Sequence, residues 1–195
     1  LSETRILMVR HGEVHNPGGI IYGRLPRVAL SPRGWEQARR VADLLAARPL
    51  AAVYSSPLLR ARQTARAVAA RHPGVPLRTS RLLNEVRSSW QGHRREEVLH
   101  EPLRFNYYMP PRQPGDETLA QLFERMHRFV RRVLKRHPGQ TVVAVSHGDP
   151  LVALRVGLEG RPLTLEEVRG PRYPPLGSVF ELIYRDGHLV KVDPL

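Results

Sequence analysis

Apolar positions along the chain alternate between two rhythms. Short runs at residues 4–9 (TRILMV), 50–54 (LAAVY) and 140–145 (QTVVAV) have strand length and carry β-branched residues. The third is apolar enough for a strand covered on both faces, as in a parallel sheet. Residues 75–83 form a weaker fourth candidate. Between these runs the spacing shifts to three and four. Ser31-Pro32 offers an N-cap with proline at the first helical position, and Trp35, Ala38, Val41, Ala42 and Leu45 follow on one face. Ser56-Pro57 repeats the device ahead of Leu58, Ala61, Ala65, Val68 and Ala69, and Asp149-Pro150 does so a third time. The longest helix is predicted over 117–136, with Leu119, Leu122, Phe123, Met126, Phe129, Val130 and Val133 in register and His137-Pro138-Gly139 as its stop. The chain ends in a β-hairpin, 178–184 and 188–192, around Asp186-Gly187.

Strands alternating with helices predict an α/β protein: a three-layer α/β/α sandwich around a mostly parallel central sheet. The whole chain, 1–195, reads as one domain. Residues 86–115 are irregular, hold Arg87, Trp90, Arg94, Arg95, Arg104, Tyr107 and Tyr108, and are expected to cap one end of the sheet. In open α/β folds the ligand sits at the carboxyl ends of the strands, so that end is where chemistry is expected.

Composition narrows the classes. The 195 residues are 41% hydrophobic, enough for a single core without covalent staples. The absence of cysteine excludes disulfides, thiol nucleophiles and thiolate metal centres. No apolar run nears the roughly 20 residues of a membrane span. Leu1-Ser2-Glu3 leads straight into the first strand, so the expectation is a cytoplasmic domain with no leader and no membrane partner. Thirty-one basic residues against 18 acidic ones give a net charge of +13, and only Lys135 and Lys191 are lysines. Arginine pairs bidentately with phosphate and carboxylate, which fits an anionic substrate or a nucleic acid. Aromatic residues are only 6% and do not interleave with basic ones, so a solvated basic surface ranks ahead of nucleic-acid binding. The oligomeric state is left open, with a homodimer among the options.

Three strand-to-helix turns each deliver a basic side chain: Arg10-His11-Gly12, then Ser55-Ser56-Pro57 with Arg60 one turn on, then Ser146-His147-Gly148. Helix starts contribute free N–H groups and positive dipole ends, so two histidines and two arginines on that rim suit a phosphoryl group. Singly, each signal is ordinary: a histidine after a strand is more often structural, and a glycine after it can serve the turn alone.

Their joint order resembles the histidine phosphatase superfamily, also called phosphoglycerate-mutase-like. The resemblance rests on LMVRHGE (7–13), LSPRGWEQA (30–38), VYSSPLLRARQTA (53–65), LLNEV (82–86), GDET (115–118) and VSHGD (145–149), in family order. It implies the phosphoglycerate-mutase-like fold and a cofactor-independent phosphatase acting on a small phosphorylated substrate. By the same resemblance His11 is the nucleophile that becomes phosphohistidine. Arg10, Arg60 and His147 hold the phosphoryl oxygens, and Glu85 donates the proton to the leaving oxygen. Such a glutamic acid must keep its proton near neutrality, so burial beside Leu82, Leu83 and Val86 is expected to raise its pKa. Substrate contacts are implied at Gly12, Asn16, Tyr22, Gly23 and Gly148, although Asn16 comes one residue early and Tyr22 stands where the family has Ser or Thr. His15 is an extra imidazole that reads as a loop residue.

A phosphoglycerate-type mutase is the nearest alternative, but 86–115 does not match the insertion such mutases carry. A catalytically lapsed phospho-ligand-binding domain is disfavoured because all five core positions are filled. A metallohydrolase would need spacings such as H-E-x-x-H, and none occurs: His100-Glu101 leads only to Pro102. No metal is expected. Arg87, Arg94, Arg95 and Arg104 are candidates for a second anionic group on the substrate.

Overall fold

The computed structural model describes residues 2–98, 108 and 113–194. Six strands form one sheet: β1 (Glu3–Arg10), β2 (Leu50–Ser55), β3 (Leu77–Thr79), β4 (Thr141–Ser146), β5 (Val179–Arg185) and β6 (His188–Pro194), in spatial order β3-β2-β4-β1-β5-β6. The first four are mutually parallel, and β5 and β6 add an antiparallel hairpin at one edge. Its turn has Asp186 and Gly187 both at positive φ, the geometry that suits the twist of a two-residue hairpin loop.

Strand side chains point alternately to the two faces, and here both faces are covered. Ile6, Met8, Val142 and Ala144 meet Met126, Phe129 and Leu151 of the helices α4 (Leu119–Arg136) and α5 (Gly148–Leu158). Leu7, Val9, Val143 and Val145 meet Val41, Ala61 and Val68 of α1 (Pro32–Leu45) and α2 (Leu59–Ala70). Two short helices, α3 (Arg95–Val98) and α6 (Leu165–Val168), complete the described elements. The result is the three-layer sandwich, and the uniform apolarity of 140–145 reflects its central position. Among the described residues no helix is long and apolar enough to cross a membrane.

Several boundaries differ from the sequence reading. Residues 75–83 yield only three strand residues, because Ser80 caps a 3-10 turn, Arg81–Leu83, that diverts the chain toward the site. Ser31 does cap α1, accepting from the Gly34 N–H at 3.0 Å, and Thr118 and Gln121 form a capping box on α4. Ser56 does not cap α2: that helix begins at Leu59 behind a Leu58 cap that uses no side chain. Asp149 lies inside α5, whose N-cap is His147. Both side chains are committed elsewhere, and those commitments build the site.

Candidate active site

Strand register assembles the rim. Arg10 pairs with Ser146 and Ser55 with Val145, so the turns carrying His11, Ser56 and His147 leave the sheet side by side. His11 is buried, and its Nδ1 lies 2.7 Å from the Gly12 carbonyl. Only an N–H can satisfy that carbonyl, so Nδ1 carries the ring proton and Nε2 presents a lone pair. Burial, then the charges of Arg60 and Arg10, hold the imidazole well below the usual histidine range despite the opposing pull of the Gly12 carbonyl.

Arg60 is fully buried in the first turn of α2. Its Nε donates to His11 Nε2 at 3.3 Å, its Nη2 donates to the Gly23 carbonyl at 2.6 Å, and its guanidinium lies 4.7 Å from the Tyr22 ring centre. A buried guanidinium is tolerable only with such partners. Arg10 donates to the Pro174 carbonyl at 2.6 Å and stacks on Tyr173, while its buried Nε has no hydrogen-bond partner among the described residues.

His147 packs edge-on against His11, with ring centres 5.0 Å apart. Its Nε2 is 2.9 Å from the Ser56 hydroxyl, whose own proton goes to Asn84 Oδ1 at 3.2 Å. Ser56 therefore accepts from His147, the hydrogen sits on Nε2, and Nδ1 is bare. That Nδ1 is buried, has no hydrogen-bond partner among the described residues and lies 3.8 Å from Glu85 Oε2. Burial, then Arg60, keep His147 well below its ordinary pKa.

Glu85 follows the 3-10 turn, and its carboxylate accepts from the Val86 N–H at 2.9 Å. Burial, then the negative charge of Asp149, push its pKa up to about 7, partly opposed by Arg60. Its backbone is clamped. Arg125 of α4 donates to the carbonyls of Leu82 at 2.6 Å and Asn84 at 2.9 Å, and Arg24 donates to that of Glu85 at 2.7 Å. Both guanidinium groups converge on the Glu117 carboxylate at 2.8 Å. The Gly-Asp-Glu-Thr stretch thus has a physical role: Glu117 joins the two arginines, Asp116 holds Ser89, and Thr118 starts α4.

Asp149 is the other group the sequence reading missed, since it passed there for a helix cap. It is buried and accepts from Arg169 at 2.8 Å, Tyr108 at 2.9 Å and Tyr173 at 2.7 Å. Arg10, Tyr22, Gly23, Glu85, Asp149 and Tyr173 line a pocket; Arg60 lies against Tyr22 and donates to the Gly23 carbonyl, with His11 next to it and His147 against His11. Nothing in the spacing of Arg169 or Tyr173 marks them, because they return to the rim from the distant α6–β5 connection.

The remaining predicted contacts divide. Tyr22 and Gly23 stand in the pocket wall. Asn16 does not: its amide closes on the backbone of Ile20, at 2.9 and 3.2 Å, and braces the loop instead. Gly12 gives its N–H to Thr64 and its carbonyl to His11, so its backbone is spent inside the protein. A Cβ there would stand 2.4 Å from the Gly34 carbonyl oxygen. At Gly148 a Cβ would stand 2.1 Å from the Tyr173 hydroxyl, so that glycine makes room for the Asp149 contact. His15 is exposed in a separate groove beside Leu25 and Pro26. Arg87 is held by the Gly115 carbonyl and Arg94 pairs with Glu96, whereas Arg95 lines the pocket. Arg104, Tyr107 and the His100-Glu101 pair lie outside the described residues, as does the middle of the expected cap. Among the described residues no three histidine, aspartate or glutamate side chains gather as metal ligands would.

Comparison with known proteins agrees with this geometry. The sequence profile of the histidine phosphatase superfamily (branch 1) matches residues 6–192. Uncharacterized protein Rv0525 of Mycobacterium tuberculosis is 40% identical over 98% of this chain and 95% of its own length. Phosphoserine phosphatase 1 of Hydrogenobacter thermophilus is 34% identical over 80% of this chain and 77% of its own. Among solved structures, the phosphoserine phosphatase of Entamoeba histolytica in complex with 3-phosphoglyceric acid superposes with a TM-score of 0.79 at 25% identity, covering 97% of this chain and 96% of that one.

Proposed function

The chain belongs to the histidine phosphatase superfamily, and we propose that it is a phosphatase that hydrolyses a small phosphomonoester through a phosphohistidine on His11, without a metal. One observation carries the reading: His11 is buried with its proton committed to the Gly12 carbonyl, and its bare Nε2 faces Arg60, whose guanidinium also holds the Gly23 carbonyl in the wall of the pocket that Glu85 lines. A nucleophile, fixed cations and a carboxylic acid titrating at about 7 are the parts in-line phosphoryl transfer needs.

The arriving phosphoryl group takes over the Arg60 contact that covers Nε2 at rest. Its oxygens sit against Arg10 and Arg60 and against His147, which takes a proton from solvent at Nδ1 as the dianion arrives and returns it to solvent when phosphate leaves. The Nε2 lone pair forms the N–P bond as the P–O bond to the alcohol breaks. Glu85 gives its proton to the departing oxygen, and the alcohol leaves neutral. Water then attacks phosphorus, Glu85 recovers a proton from it, the N–P bond breaks, and phosphate leaves with His11 and Glu85 restored. The phosphoserine phosphatase among the relatives supports hydrolysis over the mutase alternative.

The test is phosphate release from a panel of phosphomonoesters with EDTA present, for the wild type and His11→Ala. The expected result is turnover that survives EDTA, vanishes in the variant and leaves an acid-labile phosphoryl group on the wild type during turnover. Loss of activity with EDTA would overturn the metal-free route. Undiminished activity in His11→Ala would overturn the nucleophile.

A further inference from the structure

Asn84 stands one residue before Glu85 but outside the wall of the pocket. Its backbone is pinned at both ends: the N–H donates to the Arg81 carbonyl at 3.2 Å, and the carbonyl accepts from Arg125 at 2.9 Å. The side-chain oxygen is held 3.2 Å from the Ser56 hydroxyl. That hydroxyl is fully buried and has two other neighbours, the Leu58 N–H at 3.3 Å and His147 Nε2 at 2.9 Å. It owns one proton. The Leu58 N–H only donates and an amide oxygen only accepts, so the hydroxyl proton goes to Asn84. The imidazole then has to supply the hydrogen between His147 and Ser56.

Without that acceptor the preference reverses. A buried hydroxyl proton is costly to leave unmatched, and the acceptor left beside it is His147 Nε2. The ring hydrogen then belongs on Nδ1, which faces Glu85 Oε2 at 3.8 Å. The two tautomers meet a phosphoryl dianion differently. A bare Nδ1 presents a lone pair, so binding requires one proton and creates an imidazolium. An Nδ1–H meets the dianion as a neutral donor and requires none. The other groups around the ring do not choose between the tautomers. Arg60, Arg125 and Arg10 disfavour charge on the ring as a whole, and His11 packs edge-on at 5.0 Å. Asp149, on the helix that His147 caps, is bound by Tyr108, Tyr173 and Arg169.

Resting on the phosphatase reading above, we propose that Asn84 is a positioning residue: acting through Ser56, it holds resting His147 as the Nε2–H tautomer. The phosphoryl group and one proton from solvent then bind together, and His147 is a cation when the P–O bond breaks. The turn that carries the acid thus also sets where His147 holds its hydrogen.

Asn84→Leu removes the acceptor, and Asn84→Asp keeps one that cannot donate. Histidine side-chain 1H–15N spectra of the resting proteins read the tautomer directly, with the His147 signal identified by its loss in His147→Gln. The wild type and Asn84→Asp should carry the hydrogen on Nε2, and Asn84→Leu should carry it on Nδ1. Nδ1–H in the wild type, or Nε2–H in Asn84→Leu, would overturn the proposal, and neither measurement needs a substrate. Sulfate has no proton to bring near neutral pH, so in a Glu85→Gln background, which silences the acid, it reports the proton taken up by His147. Above neutrality its Kd should rise about 10-fold per pH unit with Asn84 and under about 3-fold with Asn84→Leu, and equal slopes would refute the linkage. The leaving group of p-nitrophenyl phosphate departs without a proton from Glu85, so its hydrolysis isolates His147 from any disturbance of the acid. Asn84→Leu should lower kcat on it about 10-fold, more than it changes KM, and Asn84→Asp should recover most of the loss; an unchanged kcat would count against the proposal. If the tautomers change as stated but no ester is hydrolysed, the phosphatase reading fails and the role of Asn84 in setting the tautomer stands.

Discussion

Replacing Glu85 by Gln separates the acid's energetics from the identity of the substrate. Glutamine has the shape of the protonated acid and retains an oxygen for the Val86 N–H, so at low pH the two proteins should be equally stable. As pH rises they should diverge. In the unfolded chain Glu85 loses its proton near 4.5, whereas in the folded protein burial and the Asp149 charge delay the loss to about 7. Between those values the native state holds one more proton than the unfolded state, so raising the pH favours unfolding. At ~1.36 kcal/mol per pH unit, an interval of roughly 2.5 units makes the wild type about 3 kcal/mol less stable than Glu85→Gln above pH 7.5. The side chain is only 14% exposed, so solvent screening removes little of this. Urea denaturation of both proteins from pH 4.5 to 8 measures the gap, and titrations common to both cancel in the difference. The stability favouring the wild-type acid is complete below pH 4.5 and gone once the pH has passed its folded pKa. A gap that stays constant within about 0.5 kcal/mol over that range would refute the argument. The same acid predicts that kcat/KM falls as pH rises through about 7, and Asp149→Asn should move that limb to lower pH because the second contribution to the shift is removed.

Two further predictions concern the scaffold. Glu117→Gln leaves Arg24 and Arg125 facing each other without their shared carboxylate, which should cost about 2–4 kcal/mol in urea denaturation and lower kcat by loosening the turn that carries Glu85. Burial pushes Glu117 up, but Arg125 and Arg24 more than offset it, so the wild-type advantage should hold above the ordinary carboxylate range and fade as pH falls below it. Gly12→Ala drives a Cβ to 2.4 Å from the Gly34 carbonyl, backbone against backbone, and should cost roughly 1–3 kcal/mol or more. Gly18→Ala, whose Cβ would meet only Ile20 at 3.7 Å, is the control, and equal stability of the two variants would count against a packing role for Gly12.

Local signals carried far in this chain. The unbroken apolarity of 140–145 matches a strand buried on both faces, and the capping chemistry of Ser31-Pro32 matches a real helix start. These features are legible because each is decided within a few residues by backbone sterics and hydrogen bonding. The motif order placed His11, Arg60 and His147 at strand ends, and parallel strands in register bring such ends together.

Tertiary structure decided what two positions do when local chemistry offers them a choice. Ser56 and Asp149 both look like helix caps, yet a serine hydroxyl or a carboxylate serves whichever donor the fold delivers. Here Ser56 accepts from His147 and fixes its tautomer, and Asp149 accepts from Tyr108, Arg169 and Tyr173. Asn16, implied as a substrate contact, is instead hydrogen-bonded to the backbone of Ile20 and closes its own five-residue loop. The pKa of Glu85 was likewise beyond its apolar neighbours alone: the charge that helps raise it comes from Asp149, 64 positions along the chain. Residue types and turns set which groups could do chemistry. Which protons they hold was set by contacts between segments far apart in sequence, where burial and a single fixed charge outweigh anything nearby in the chain.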